Sequence, residues 1–164
     1  MKAVSVLAFI GLVVASNWLT ARYGLVLDLV TAGTFTAGLV LLVRDWVHET
    51  AGVRWVFVAI AAGAALSFVM ASPRLALASA VAFTLAELAD LAVYAPLRES
   101  GRKRAAAVSN IAGAAVDSLL FLTLAGFPLW PAVAGQVGVK WAVSVLPLLA
   151  WVVGRALLRH PVRT

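Results

Sequence analysis

Long uncharged runs alternate along this chain with short charged breaks, and the runs have membrane-crossing length. The first, from about residue 3 to 21, contains no charge and is long enough to cross roughly 30 Å of hydrocarbon. It reads as a span rather than a cleaved signal, because its apolar stretch is long and Asn17, Trp18 and Thr20 make a poor cleavage site. A second run covers about 29–43, short unless residues 23–28 enter the membrane as an irregular lead-in. The third covers about 55–72, and Ser72-Pro73-Arg74 turns the chain into the fourth, about 75–97. A basic loop at 98–104 leads to the fifth, about 105–127; Pro128 and Pro131 bracket the turn into the sixth, about 132–154. The pattern predicts an all-α, polytopic bundle of six transmembrane helices, one domain over residues 1–164.

Composition agrees. The chain is 63% hydrophobic and 12% charged, with a mean hydropathy of +1.02; a soluble domain has about half apolar and about a quarter charged residues. Six spans put both termini on one side, together with the second and fourth connections. That side holds Lys2, Arg44, Arg54, Arg98, Arg102, Lys103, Arg104, Arg155, Arg159 and Arg163, against Arg22 and Arg74 opposite. The positive-inside rule places both termini in the cytoplasm and the protein in the cytoplasmic (inner) membrane. The asymmetry accounts for the net charge of +6 without a nucleic-acid partner. With no cysteine, disulfides and thiolate chemistry are excluded. His48 and His160 are too few and too separated for a metal site, and no cofactor is expected.

Four ionisable groups interrupt the apolar runs: Glu87, Asp90, Asp117 and Lys140. On insertion scales each costs about 2.5–3.5 kcal/mol at a helix centre, so they are expected to face one another, a wet cavity or a ligand. Helical spacing groups them. Glu87, Asp90 and Tyr94 share one face of the fourth helix, Asn110 and Asp117 one face of the fifth, and Gln136, Lys140 and Ser144 a stripe on the sixth. Asn17 and Ser16, with Thr31, Thr34 and Thr36, add further polar groups. Together they predict one central polar cavity. Lys140 and Asp117 form an interhelical ion pair on this reading, and Glu87 and Asp90 are left as two acids without a basic partner in the membrane. The Arg44-Asp45-Trp46-Val47-His48-Glu49 segment has the residue types of a metal or catalytic cluster, but reads as a solvated, charge-balanced loop at the cytoplasmic edge. The tryptophans read as an interfacial belt.

Two stretches, Gly33-Thr34-Phe35-Thr36 through Arg44-Asp45 and Glu87-Leu88-Ala89-Asp90 through Tyr94 to Leu97-Arg98, resemble the queuosine-precursor transporter family, also called the vitamin uptake transporter (VUT) family. Ser16-Asn17, Ser109-Asn110 through Asp117-Ser118 to Phe121, and Lys140 follow in matching order. The resemblance implies a fold like the six-helix substrate-binding (S) components of energy-coupling-factor transporters. It also implies uptake of 7-deazaguanine bases, the queuosine precursors preQ0 and preQ1. On it, Asp90, Glu87 and Asp117 accept hydrogen bonds from the base, Asn110, Gln136 and Lys140 assist, Asn17 belongs to the polar lining, and Phe35 and Tyr94 stack on the ring. One carboxylate accepts both the N1–H and the exocyclic amine of a guanine-like edge; a second carboxylate suits the aminomethyl cation of preQ1.

The chain carries no nucleotide-binding motif, which leaves proton coupling, facilitation, a separate energising module and a homo-oligomer all open. Three alternatives stand beside this reading: uptake of a vitamin or other heterocycle, a non-transport membrane subunit, and a membrane enzyme. The last lacks a nucleophile, a metal or a phosphate site.

Overall fold

The computed structural model describes residues 1–158; Arg159, His160 and Arg163, which carry part of the predicted charge pattern, lie outside the described residues. Six α-helices follow one another within them: α1 (Lys2–Tyr23), α2 (Thr34–Ala51), α3 (Val53–Met70), α4 (Pro73–Leu97), α5 (Arg102–Ala125) and α6 (Ala132–Leu158). Between α1 and α2 a short hairpin pairs β1 (Leu25–Val26) with β2 (Val30–Thr31), antiparallel. One 3₁₀ turn, Arg98–Ser100, joins α4 to α5.

Contacts close the helices into a ring in the order α1, α2, α6, α5, α4, α3, with the α4–α5 seam the most extensive. Gly113 lies on that seam, where a Cβ would meet the Ala86 carbonyl oxygen at 3.4 Å, an ordinary contact distance. Phe9, Val13, Val40, Val47, Val56 and Ile60 fill one half of the interior, and Leu75, Ala82 and Phe121 the other. Leu66, Val69, Leu77, Leu85, Leu88, Ile111 and Leu119 face outward, an arrangement that suits acyl chains rather than water. Helices α1, α3, α4 and the Ala105–Ala125 part of α5 are each long and apolar enough to cross a membrane. The protein is an all-α, multi-pass membrane bundle.

Where the expected second span was short, the chain does two things. Residues 24–31 fold as the hairpin, with Leu27 and Asp28 both at positive φ (53° and 55°) in a turn closed by Leu29 N–H to the Val26 carbonyl at 3.1 Å. Leu27 pays a steric cost there, of about 1–2 kcal/mol, at an exposed tip. The helix then starts at Thr34 and continues beyond residue 43 to Ala51, so the predicted charged loop at 44–49 is α-helix. Its buried positions Ala37, Val40, Leu41, Arg44 and Val47 form one continuous face, and that periodicity carries the helix through the charged segment.

Candidate functional site

Lys140 organises the half of the bundle under the hairpin. Its Nζ donates to Asp117 Oδ2 at 2.7 Å, Ser118 Oγ at 3.0 Å and Gln136 Oε1 at 3.1 Å, which uses all three donors of an ammonium group. Gln136 Nε2 in turn donates to Thr31 Oγ1 at 3.3 Å, and Thr31 shares a hydrogen bond with Thr34 at 3.0 Å. Helices α5 and α6, the hairpin and the start of α2 are thus joined through one buried polar chain. Phe83, Phe121, Ser16 and Ser79 complete the walls of a cavity of about 10 Å³, room for one water. In this conformation the site is closed.

The hairpin is pinned over it. Ser16 Oγ donates to the Gly33 carbonyl at 2.8 Å, and Gly33 N–H donates to Thr20 Oγ1 at 3.2 Å. A Cβ at Gly33 would overlap the Ser16 carbonyl oxygen, and one at Gly135 would overlap that of Leu29. These glycines allow α1 and α6 to approach the hairpin that seals this end.

A second cluster lies nearer the end that carries the N-terminus, about 10 Å further along α5, from Asp117 to Asn110. Arg44 is its centre. Its guanidinium donates to Asp45 Oδ1 (2.8 and 3.1 Å) and to Asn110 Oδ1 (2.7 Å). It also lies 3.4 Å from Glu87 Oε2 and 3.6 Å from Asp90 Oδ1. His48 Nε2 and Glu87 Oε1 share a 2.6 Å hydrogen bond. A chamber of about 270 Å³ opens beside the cluster, lined by Arg44, His48, Asp90, Tyr94, Ser109 and Asn110. That is close to the lower end of the size range of small-molecule sites.

The expected single cavity is therefore two sites. The structure brings Asp117, Gln136 and Lys140 together in the closed one, including the predicted ion pair. Glu87, Asp90, Asn110 and Tyr94 gather at the other. Asn17 reaches neither cavity: its amide donates to Ser67 Oγ (3.0 Å) and accepts from Ser79 Oγ (2.6 Å), tying α1 to α3 and α4. Phe35 is 53% exposed on the outer face of α2, so it has no place in a stack; Phe83 and Phe121 line the closed site instead.

Two further corrections concern charge. Glu87 and Asp90 do have a basic partner, because Arg44 is only 6% exposed rather than solvated at the membrane edge. His48 belongs with them. The signal was present in the sequence: Arg44 continues the i, i+3, i+4 series from Ala37, Val40 and Leu41. Among the described residues no group of three or more His, Cys, Asp or Glu side chains is arranged to hold a metal ion.

The chain matches the family model described as "Putative vitamin uptake transporter" over residues 3–154. The match sets the chain among transporters rather than enzymes. No curated protein and no solved structure matches. With nearly the whole chain covered, helices and both polar clusters included, the protein belongs to this vitamin uptake transporter family.

Proposed function

We propose that the protein carries a small heterocyclic base, a 7-deazaguanine queuosine precursor such as preQ0 or preQ1, across the cytoplasmic membrane into the cell. The observation that carries this reading is the donor and acceptor set around Lys140. One carboxylate, one ammonium, one amide and the hydroxyls of Ser16, Thr31, Thr34 and Ser79 are buried together beside two aromatic rings, Phe83 and Phe121. A lactam–amidine edge asks for this mixture. Lys140 and Gln136 donate to the ring carbonyl, Asp117 accepts from N1–H and the exocyclic amine, and an aromatic ring covers the π-face.

In its closed form the site holds no more than a water, so admission of a base requires the helices or the hairpin to separate there. The open chamber at Asp90, Asn110 and Tyr94 is the second station of the path. Asp90 lines it with Tyr94, and Asp90 Oδ1, buried 3.6 Å from Arg44, lacks a hydrogen-bond donor, an acceptor that a base entering there would fill. Closure at one end with a chamber at the other is the arrangement alternating access requires.

Charge at the helix ends supports cytoplasmic termini. Lys2, Arg54 and Arg98 lie at the ends of α1, α3 and α4 nearest the chamber, and Arg22 and Arg74 at the opposite ends. Arg44 drops out of that count because it is buried, without reversing it. The chamber then faces the cytoplasm, and the Lys140 site is closed toward the outside.

The family description favours a second reading, uptake of a vitamin, because the same groups serve any planar heterocycle with an amide edge. Competition separates the two. Proteoliposomes containing the protein are expected to take up labelled preQ1, with unlabelled preQ0 competing and vitamins not. Competition by a vitamin at lower concentration than preQ0 transfers the assignment to that vitamin.

A further inference from the structure

Glu87 stands between a wet compartment and a dry one. His48, bonded to it at 2.6 Å, lines the 270 Å³ chamber with 29% of its side chain exposed. Glu87 itself is 1% exposed and borders an apolar cavity with Phe9, Val56, Ile60 and Phe83. Phe83 also lines the Lys140 site. One imidazole thus separates Glu87 from the chamber, and one aromatic ring separates it from the closed site.

The local charges do not balance. A single guanidinium, Arg44, faces the carboxylates of Asp45, Glu87 and Asp90. Asp45 and Asn110 accept its short hydrogen bonds, while Glu87 Oε2 and Asp90 Oδ1 are buried without a donor. The neighbours supply no further cation among the described side chains lining these cavities. Helix α2 adds Glu49, α4 adds Tyr94, α5 adds the neutral Ser109 and Asn110, and α1 and α3 present Phe9, Val56 and Ile60. Uncompensated negative charge in low dielectric is costly and is relieved by taking up positive charge. At Glu87 the geometry selects a proton. Its Oε2 lies 3.4 Å from the Arg44 guanidinium, the rest of the cavity it borders is apolar and offers no ligands for a metal ion, and the short bond to His48 already needs one proton between the two heavy atoms.

From this we infer that His48 and Glu87 form the proton site of a proton-coupled transporter, an inference that rests on the transport reading above. The transfer balances simply. A proton binds His48 at Nδ1, the Nε2 proton passes to Glu87 Oε1, and the imidazole is neutral again in its other tautomer. In the conformation described here the same steps run backwards release the proton into the chamber, and loading belongs to the alternate state, in which this end is closed and the pair is reached from the opposite side. Protonation cancels the Glu87 charge facing Arg44 and weakens the bridge from α2 to α4, while Arg44 stays held by Asp45 and Asn110. Occupancy of Glu87 by a proton is thereby coupled to the helix contact beside the chamber.

Two measurements on the full chain test this, one without any substrate. Infrared difference spectra of the lipid-reconstituted protein across a pH titration are expected to show a protonated-carboxyl band that Glu87→Gln removes. No such band, or one that survives in Glu87→Gln, overturns the proposal whatever the substrate is. In proteoliposomes, an inside-alkaline gradient of about one pH unit is expected to raise preQ1 accumulation up to about tenfold, the ratio one coupled proton sustains. Equal accumulation with and without the gradient, in vesicles that do exchange preQ1, also overturns it. Absence of exchange in vesicles whose protein shows the Glu87 band counts against the substrate, and the band supports the proton site. In His48→Gln the band is expected to lose its wild-type titration; an unchanged titration removes His48 from the relay.

Discussion

Lys140 Nζ lies 2.7 Å from Asp117 Oδ2 with neither side chain more than 3% exposed, so the two charges depend on each other. Removing one partner of a buried pair costs about 3–5 kcal/mol, while replacing both by apolar groups is often neutral. Lys140→Met and Asp117→Asn are each expected to lower thermal stability and expression. The double variant Lys140→Met/Asp117→Leu is expected to recover stability while uptake stays abolished. Recovery of uptake along with stability would assign the pair to the scaffold alone.

Arg44 holds α2, α4 and α5 together through Asp45, Glu87, Asp90 and Asn110. Arg44→Gln leaves buried carboxylates without their cation and is expected to destabilise the protein by about 3–5 kcal/mol. Arg44→Lys keeps the charge but not the planar fork, and is expected to fold with uptake reduced at least tenfold. Thermal unfolding of the two variants beside uptake assays checks both expectations. Wild-type behaviour of Arg44→Gln would mean the arginine is solvated after all.

The two aromatic positions should behave oppositely. Phe35→Ala, on the outer face of α2, is expected to leave the apparent affinity for the base unchanged. Phe121→Leu, which keeps most of the buried volume at the closed site, is expected to weaken it several-fold by removing a stacking face. Concentration dependence of uptake reads both, and a larger effect at Phe35 contradicts the assignment.

Gly33 and Gly135 permit the hairpin to seat against α1 and α6, where a Cβ has no room. Gly33→Ala and Gly135→Ala are each expected to cost about 1–3 kcal/mol by overpacking, and to increase labelling of a cysteine placed at Gln136 from the hairpin side. Unaltered labelling means that the hairpin does not seal the Lys140 site.

Asn17→Ala separates scaffold from site. Among the described residues its amide bonds Ser67 and Ser79 alone, so stability is expected to fall by about 1–3 kcal/mol with apparent affinity unchanged. A selective loss of affinity returns Asn17 to the binding site.

How much of this could be read from the chain depends on the kind of signal. The spans were legible because each apolar run is bounded by charge, proline or glycine. The Lys140–Asp117 pair was legible because a lone cation in an apolar run has few places to go. Arg44 was not. It is followed by Asp45, His48 and Glu49, a composition typical of solvated loops, and only the persistence of the buried α2 face past residue 43 reveals it. Phe35 misled for a related reason. It adjoins polar Thr34 and Thr36 in sequence, yet Thr34, Ala37 and Gly38 define the inward face and Phe35 turns away from it. Phe83, an aromatic in an apolar run, borders both the closed site and the apolar cavity beside Glu87, a position no spacing announces.

The central claim is that the polar interior passes a 7-deazaguanine base, and the most direct measurement is rescue of queuosine in tRNA. A bacterium unable to make or import the precursors, expressing this chain and fed limiting preQ0 or preQ1, is expected to regain queuosine. Asp117→Asn, shown to be present in the membrane, is expected not to restore it. No queuosine with the wild-type protein in the membrane contradicts the substrate assignment, and equal rescue by Asp117→Asn contradicts the site.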